Sequence, residues 1–501
     1  MAVRKIFGIE TEYGILHRGA AESNPISASS LLINAYLASV ARRTGGRTPV
    51  GWDFEDESPG VDARGLAAVA ALAPEVETHL VNAVLTNGAR FYVDHAHPEL
   101  STPECADPRT LVLFDRAAER IVQEAMEAAA AVLPPGEELV VYKNNSDRKG
   151  NSYGCHENYL MDRQIPFGRI VVHAIAHFVT RQVFTGAGKV GVESPHASSR
   201  TVPFQLTQRA DFFEEEVGLE TTLKRPIVNT RDEPHADPQK YRRLHVIVGD
   251  ANMSEVATLL KTGTTAMVLG MVEDGWLKRD FVFATPVRAL RQVSRDLTLQ
   301  EPLELADGST VTALEVQWEL LAAAQAWGAG GGLESVGGEA GEEVLRRWEQ
   351  VLTGLERDRD SVAHLVDWVA KHRLIEAYRD RHDLDWDDPR LAAMDLQYHD
   401  LRPQRCLALR VGLERITNDD DVAAATLSPP DDTRAYFRGR CLAKWPEDIV
   451  AANWDSMVFD VGADPLRRVA MMEPSRGTRA HVGNLIDEAD TPAELLDRLG
   501  A

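Results

Sequence analysis

At 501 residues the chain exceeds what one ordinary hydrophobic core supports, so two domains, or one large domain with an appendage, are expected. Hydrophobic residues at 44% and charged residues at 26% describe a soluble globular chain, no run approaches the ~20 apolar residues of a membrane span, and the start turns polar at Glu10 before a signal core could form, which predicts a cytoplasmic protein with no membrane partner. A net charge of −23 excludes general nucleic-acid binding, and four dispersed cysteines (Cys105, Cys155, Cys406, Cys441) without a CxxC pair exclude a disulfide framework and a zinc finger.

Residues 5–13 (KIFGIETEY) read as the first strand, with Gly8, Glu10 and Glu12 on one face and Ile9, Thr11 and Tyr13 on the other. Two carboxylates two residues apart repel unless a cation lies between them, so the face is a candidate metal site; an exposed strand end is the alternative. Residues 27–44 carry helical spacing. The following 46–65, rich in Gly, Pro and acid, read as a long mobile loop. Asn87-Gly88 suits a tight hairpin turn with positive φ at both centres, and the strand after it alternates Arg90, Tyr92 and Asp94 against Phe91 and Val93. A cation, a phenol and a carboxylate then share one face. Pro98 is expected to stop that strand, with Glu99 and Glu104 close to its end.

An alanine-rich helix is predicted over 108–131 and a short strand over 139–142. In extended form His156 and Asn158 point one way and Cys155 and Glu157 the other, making His156 a candidate metal or phosphate ligand. His173 and His177, spaced i, i+4 without the Glu of HExxH, read as helix packing. From 200 to 243 cations gather (Arg200, Arg209, Lys224, Arg225, Arg231, Arg242, Arg243) with acids between them, either a binding groove or a salt-bridged surface. Residues 243–255 read as a strand that presents Arg243 and His245, followed by a helix capped at Asn252 or Ser254. Helices are predicted over 258–274, 314–327 and 343–381, a flexible Gly-rich break over 327–341, and a basic helix and a strand within 434–460. A boundary near 428 divides 1–427 from a small C-terminal domain, 428–501.

Several strands thus turn carboxylates, histidines and arginines to one open face, where carboxylates could hold Mg²⁺ or Mn²⁺ and arginines could hold phosphates. No GxxxxGK[ST] occurs, so a nucleotide site would lack a P-loop.

Gly8-Ile-Glu-Thr-Glu-Tyr-Gly14, Asn87-Gly-Ala-Arg-Phe-Tyr-Val-Asp94, His97-Pro-Glu99, Lys143-Asn-Asn145, the stretch 150–158, Thr230 to Asp237, Arg243 to Glu255 and Trp454-Asp455 closely resemble the Pup ligase and Pup deamidase family of actinobacteria. The resemblance implies an α+β, glutamine-synthetase-like fold: a curved antiparallel sheet backed by helices, plus a small C-terminal domain. It also implies Asp94 as the catalytic carboxylate, Glu10, Tyr92 and Glu99 at the metals, and Arg90, Thr102 and Trp454 at ATP. His156 and His245 are assigned to the metal and phosphate face, and Arg200, Arg231 and Arg243 to a groove for the acidic modifier Pup. Where the family commonly has Tyr, Leu100 follows His97-Pro-Glu99, and alternation turns it away from Glu99.

The acidic 46–65 segment resembles the insertion that marks the deamidase, and Asp94-His-Ala-His-Pro-Glu is similar to the deamidase version. The implied activity is deamidation of the C-terminal Gln of Pup to Glu and cleavage of Pup-lysine isopeptide bonds in pupylated proteins, with ATP and Mg²⁺ as cofactors and ATP not consumed stoichiometrically. Asp94 would attack the carbonyl directly or activate water. The alternatives are a Pup-protein ligase of the same fold and a non-catalytic Pup-binding adaptor.

Overall fold

The structure, a computed structural model, describes residues 1–43, 50–55, 60–65, 80–193 and 200–500. Its centre is a curled ten-stranded sheet backed by helices, an α+β architecture. In chain order the strands are β1 (Phe7–Glu12), β2 (Val50–Trp52), β3 (Asn82–Val84), β4 (Arg90–Asp94), β5 (His97–Ser101), β6 (Cys155–Asp162), β7 (Tyr241–Val246), β8 (Ile449–Ala452), β9 (Ser456–Phe459) and β10 (Arg467–Ala470). Across the sheet they run β7-β6-β1-β5-β4-β3-β2-β8-β9-β10. Every pair is antiparallel except β2 with β8, so the sheet is mixed at that one seam.

Alternation decides which face is covered. Phe7, Ile9, Tyr13, Phe91, Val93, Leu100, Tyr159 and Leu244 are buried on one side, while Gly8, Glu10 and Glu12 are half-buried on the other. The apolar side packs on helices α1 (Pro25–Arg43), α2 (Pro108–Ala130), α3 (Phe167–Thr180) and α4 (Glu255–Glu273). Asp107 caps α2, accepting from the Arg109 and Thr110 N–H groups ahead of Pro108 at the first helical position; Ser254 caps α4, accepting from the Ala257 N–H. Every residue of α4 from Glu255 to Val272 is buried: the Thr262, Thr264 and Thr265 hydroxyls donate to carbonyls one turn earlier and Lys261 Nζ donates to the Asp250 carbonyl at 2.7 Å. His173 and His177 lie in α3, both buried, and His177 Nε2 meets Thr265 Oγ1 at 3.1 Å, which is helix packing. Leu100 is buried among Phe91, Val93 and α2, pointing away from Glu99 as alternation predicts.

Four local expectations are corrected. Gly88 has φ 82 but Asn87 is not in the left-handed region: the Gly88 N–H reaches the Leu85 carbonyl and the Leu85 N–H the Ala89 carbonyl, so the loop is one residue longer than a two-residue turn and needs positive φ only at its glycine. Pro98 does not stop the strand. The chain reverses at His95-Ala96, and Pro98 pairs with Val93 at the beginning of β5, where its missing N–H costs at most one bond at a strand end. Within 46–65, read as a loop, residues 50–52 form β2, held between β3 and β8, and residues 46–49 and 56–59 lie outside the described residues. The Gly-rich 327–341 is ordered: a 3₁₀ turn over Gly332–Val336 buries Val336, and the Ser335 carbonyl accepts from the Lys5 N–H. In both of these segments tertiary pairing overrides a composition that reads as coil.

Candidate active site

The half-buried face of β1 and its neighbours forms three rows of side chains set by register. Asn82, Tyr92, Glu99 and Glu12 are direct cross-strand partners in sequence across β3, β4, β5 and β1. The next row runs Val84, Arg90, Ser101, Glu10 and His156, and the third Gly8, Asn158 and His245. Direct partners share a face and have Cβ atoms about 4.5–5.5 Å apart, so residues more than two hundred positions apart in the chain converge.

Two groups of donors result. Glu10, His156 and His245 each offer one atom within a 4.8 Å set, as do Glu12, Asp94 and Glu99. In the first, Asn158 acts as a template: its Nδ2 donates to Glu10 Oε1 at 2.9 Å, and its Oδ1 accepts from Arg243 Nη1 at 3.0 Å and from His245 Nδ1 at 2.9 Å. With the proton on Nδ1, His245 keeps its Nε2 lone pair, the arrangement that orients a metal-binding imidazole. Burial works to raise the Glu10 carboxyl, but the hydrogen bond to His156 and the Arg243 charge outweigh it and hold Glu10 well below the usual carboxylate range. In the second group, burial and then the charges of Asp94, Glu12 and Glu10 push Glu99 well above that range. A cation among three carboxylate oxygens would reverse that shift. The all-oxygen set fits a hard ion such as Mg²⁺, and the set with two imidazoles also suits Mn²⁺.

Asp94 stands at the tip of the β4–β5 hairpin with its side chain 37% exposed. Its Oδ2 meets His95 Nδ1 at 2.6 Å, and although burial acts the other way, that contact and the positive charges nearby hold Asp94 below the ordinary carboxylate value. His95 itself is held at φ 53, a conformation that histidine tolerates better than most residues. Tyr92 accepts from the Ser101 hydroxyl at 3.4 Å, and burial followed by the Glu99 and Glu10 charges pushes its phenol well up.

Beside this face lies a cavity lined by Gly8, Glu10, Thr102, Asn158, His235, Arg243, Arg434 and Trp454, among others. Thr102 is fixed on β1, its Oγ1 accepting from the Ile9 N–H at 3.0 Å. Arg434 is aimed by Glu104, whose carboxylate also binds Arg438; burial works to raise Glu104, but the two guanidinium charges depress it to about 2. Glu104 is therefore a half-buried anchor on the cavity wall rather than a member of the carboxylate groups. Arg90 lies 3.8 Å from the Trp52 ring centroid and 4.0 Å from that of Tyr92, and its Nε donates to Asn82 Oδ1 at 3.0 Å.

The structure thus brings together Glu10, Tyr92, Asp94, Glu99, His156, His245 and Arg90, with Thr102 and Trp454 on the adjoining cavity. Arg231 and Arg243 belong to this assembly as well: Arg243 approaches Glu10 and Glu233 at 3.9 Å each, and burial followed by the Arg243 charge pulls the Arg231 guanidinium down. Arg200 is apart from them, largely exposed and paired with Asp387 at 2.9 Å. Lys143 of the Lys-Asn-Asn stretch is a core residue, its Nζ 2.7 Å from Asp115 and 2.8 Å from Glu119. Sequence reasoning left two members out of the site residues. Glu12 was visible in the alternation of β1, whereas Trp52 carried no signal inside a segment read as loop.

The sequence matches the family described as Pup-ligase protein over residues 5–458. The chain belongs to the Pup ligase family. Among curated members, the depupylase of Acidothermus cellulolyticus is 52% identical, with 99% of each chain covered. The Pup deamidase/depupylase of Mycolicibacterium smegmatis is 46% identical over 99% of this chain and 100% of that one. The Pup-protein ligase of Sanguibacter keddieii is 38% identical over 97% and 100%. Among solved structures, the complex between Pup and its ligase PafA aligns with a TM-score of 0.78 at 32% identity, covering 99% of this chain and 94% of that one. The ligase PafA in complex with ADP aligns with a TM-score of 0.72 at 36% identity, covering 81% and 89%.

Proposed function

We propose that this family member is the hydrolase: an ATP-dependent Pup deamidase and depupylase that converts the C-terminal Gln of Pup to Glu and cleaves Pup-lysine isopeptide bonds. The observation that carries the reading is Asp94, held below the ordinary carboxylate value and half-exposed at a hairpin tip, where it meets Glu12 and Glu99. The higher identity to relatives named depupylase than to one named ligase supports the direction of the reaction.

Both substrates present an amide of a side-chain carbonyl. Asp94 supplies the electron pair, either by attacking that carbon or by taking a proton from the water that does; both roles require the ionised form that His95 favours. The C–N bond then breaks, nitrogen leaves as ammonia or as the lysine amine, and one water is consumed. Glu10, Tyr92, Glu99, His156 and His245 are the proposed metal-binding residues, with Glu12 completing the carboxylate set. Arg90, Thr102 and Trp454 are the proposed nucleotide contacts. Metal and nucleotide, once bound, supply polarisation of the carbonyl. Arg231 and Arg243 would meet carboxylates of Pup where it enters the site; Arg200, distant from them, would contribute only along an extended path. Among the described residues no helix is long and apolar enough to cross a membrane. We keep a domain boundary near 428. A separate core formed mostly by residues 436–496 supports it, although β8, β9 and β10 continue the main sheet.

The test mixes the protein with Mg²⁺, ATP and Pup ending in Gln. Amide-to-acid conversion seen by mass spectrometry without matching ADP release supports the proposal. Adducts with stoichiometric ADP release identify a ligase, and binding with neither product identifies an adaptor.

A further inference from the structure

Trp454, which follows β8, lines the cavity, and Trp52 sits on the neighbouring seam where β2 pairs with β8. Its backbone pairs in parallel with Ala452, two residues before Trp454, and the next N–H, of Asp53, donates to the Ala452 carbonyl at 3.0 Å. Its indole is buried and reaches both ways: edge-on to Trp454 with ring centroids 5.2 Å apart, and face-on to Arg90 at 3.8 Å. The strand between Trp52 and Arg90, β3, contributes Asn82, the acceptor for Arg90 Nε. Among the described residues, the Trp52 and Tyr92 rings and the Asn82 carboxamide hold the Arg90 guanidinium. A long flexible side chain loses much rotamer entropy on binding an anion unless it is held beforehand, and a ring 3.8 Å away in a buried setting holds it electrostatically as well as sterically.

We propose that Trp52 is a positioning residue of the nucleotide site, holding Arg90 in the orientation that receives the phosphates of a nucleoside triphosphate. The inference rests on the reading of Arg90 as a nucleotide contact, and the test separates the two. Trp52 touches Arg90 rather than the reacting atoms, so its effect falls on nucleotide affinity and reaches turnover only through occupancy.

The experiment measures ATP and ADP affinity calorimetrically on the full chain for the wild type, W52L, W52F, R90Q and W52L/R90Q, with thermal unfolding of each nucleotide-free protein as the control for folding. W52L keeps apolar bulk and removes the π face; W52F keeps a smaller ring. W52L is expected to weaken nucleotide binding about tenfold, the size of a desolvated cation–π contact, and W52F by less. In the R90Q background W52L is expected to add less than about twofold, because the group it positions is gone. If W52L weakens binding equally with and without Arg90, its role is general packing and the proposal falls. It falls equally if R90Q weakens binding while W52L leaves affinity unchanged. If R90Q itself leaves affinity unchanged, the assignment of Arg90 to the nucleotide is wrong and the inference goes with it. Should W52L not fold, W52F in the two backgrounds makes the same comparison.

Discussion

Replacing Asp94 by Asn preserves shape and an acceptor for His95 while removing the charge on which either chemical role depends. A positioned base or nucleophile contributes about 10²–10⁴-fold, so deamidation and isopeptide cleavage should fall together by at least about 10²-fold. The same change relieves repulsion. Carboxylate oxygens of Glu12, Asp94 and Glu99 lie within 4.8 Å of one another, a separation at which two unit charges repel by about 3.5 kcal/mol at an effective dielectric of 20 and about 0.9 kcal/mol in water. The partial exposure of Asp94 places the relief toward the lower figure. The cation-free Asp94→Asn variant should therefore melt no lower than the wild type and bind nucleotide with similar affinity. The assay follows the masses of Pup and of a pupylated substrate over time, alongside calorimetry with ADP. Near-normal turnover in a folded, nucleotide-binding variant would remove Asp94 from the chemistry.

Glu99→Gln removes one carboxylate charge from the three-oxygen set and should weaken Mg²⁺ and Mn²⁺ binding, read by titration calorimetry, while leaving the cation-free melting temperature unchanged or raised; unaltered metal affinity would move the cation elsewhere. The Glu104 carboxyl is depressed from 4.5 to about 2, so its contribution to stability is complete above the ordinary value and lost as pH falls through about 2. At about 1.36 kcal/mol per pH unit this corresponds to roughly 3 kcal/mol, so E104Q should be less stable by about that amount in denaturant at neutral pH, with the gap closing in acid; a gap independent of pH would argue against the pairing with Arg434 and Arg438. Arg231→Glu should weaken Pup binding more at low salt than at high salt, since screening erases a charge contribution, and equal affinities at both would return Arg231 to a structural role. If residues 60–65 gate the site, replacing them should change rate or substrate choice, and unchanged values for both would refute the role; deleting all of 46–65 would instead remove β2 and destabilise the sheet.

Much of the site was legible because strand alternation is local. Once residues 5–13 and 90–94 are extended, the faces that carry Glu10, Glu12, Arg90, Tyr92 and Asp94 follow from the pleat, and the buried partners Ile9, Phe91 and Val93 confirm the choice of face. The same holds for His156 and Asn158 on β6 and for the Ser254 cap of α4. Residue types alone did not reveal which polar groups meet. Lys143, within a motif of the family, proved to be a core anchor, and Glu104, a carboxylate near the strand end, proved to be tied to Arg434 and Arg438, because an ion pair and a ligand in a cleft use the same side chains.

Sequence by itself determined the strands that carry Glu10, Arg90, His156 and His245, their polar faces, the cap at Ser254 and, through long motifs, the family. Tertiary structure decided the register that sets Tyr92 beside Glu99 and Glu99 beside Glu12, the division of donors into two groups, and the placing of Trp52 against Arg90. Those depend on pairing between distant segments, which a period of two cannot specify: it tells each strand which way its side chains point, and only the neighbouring strand tells it what they meet.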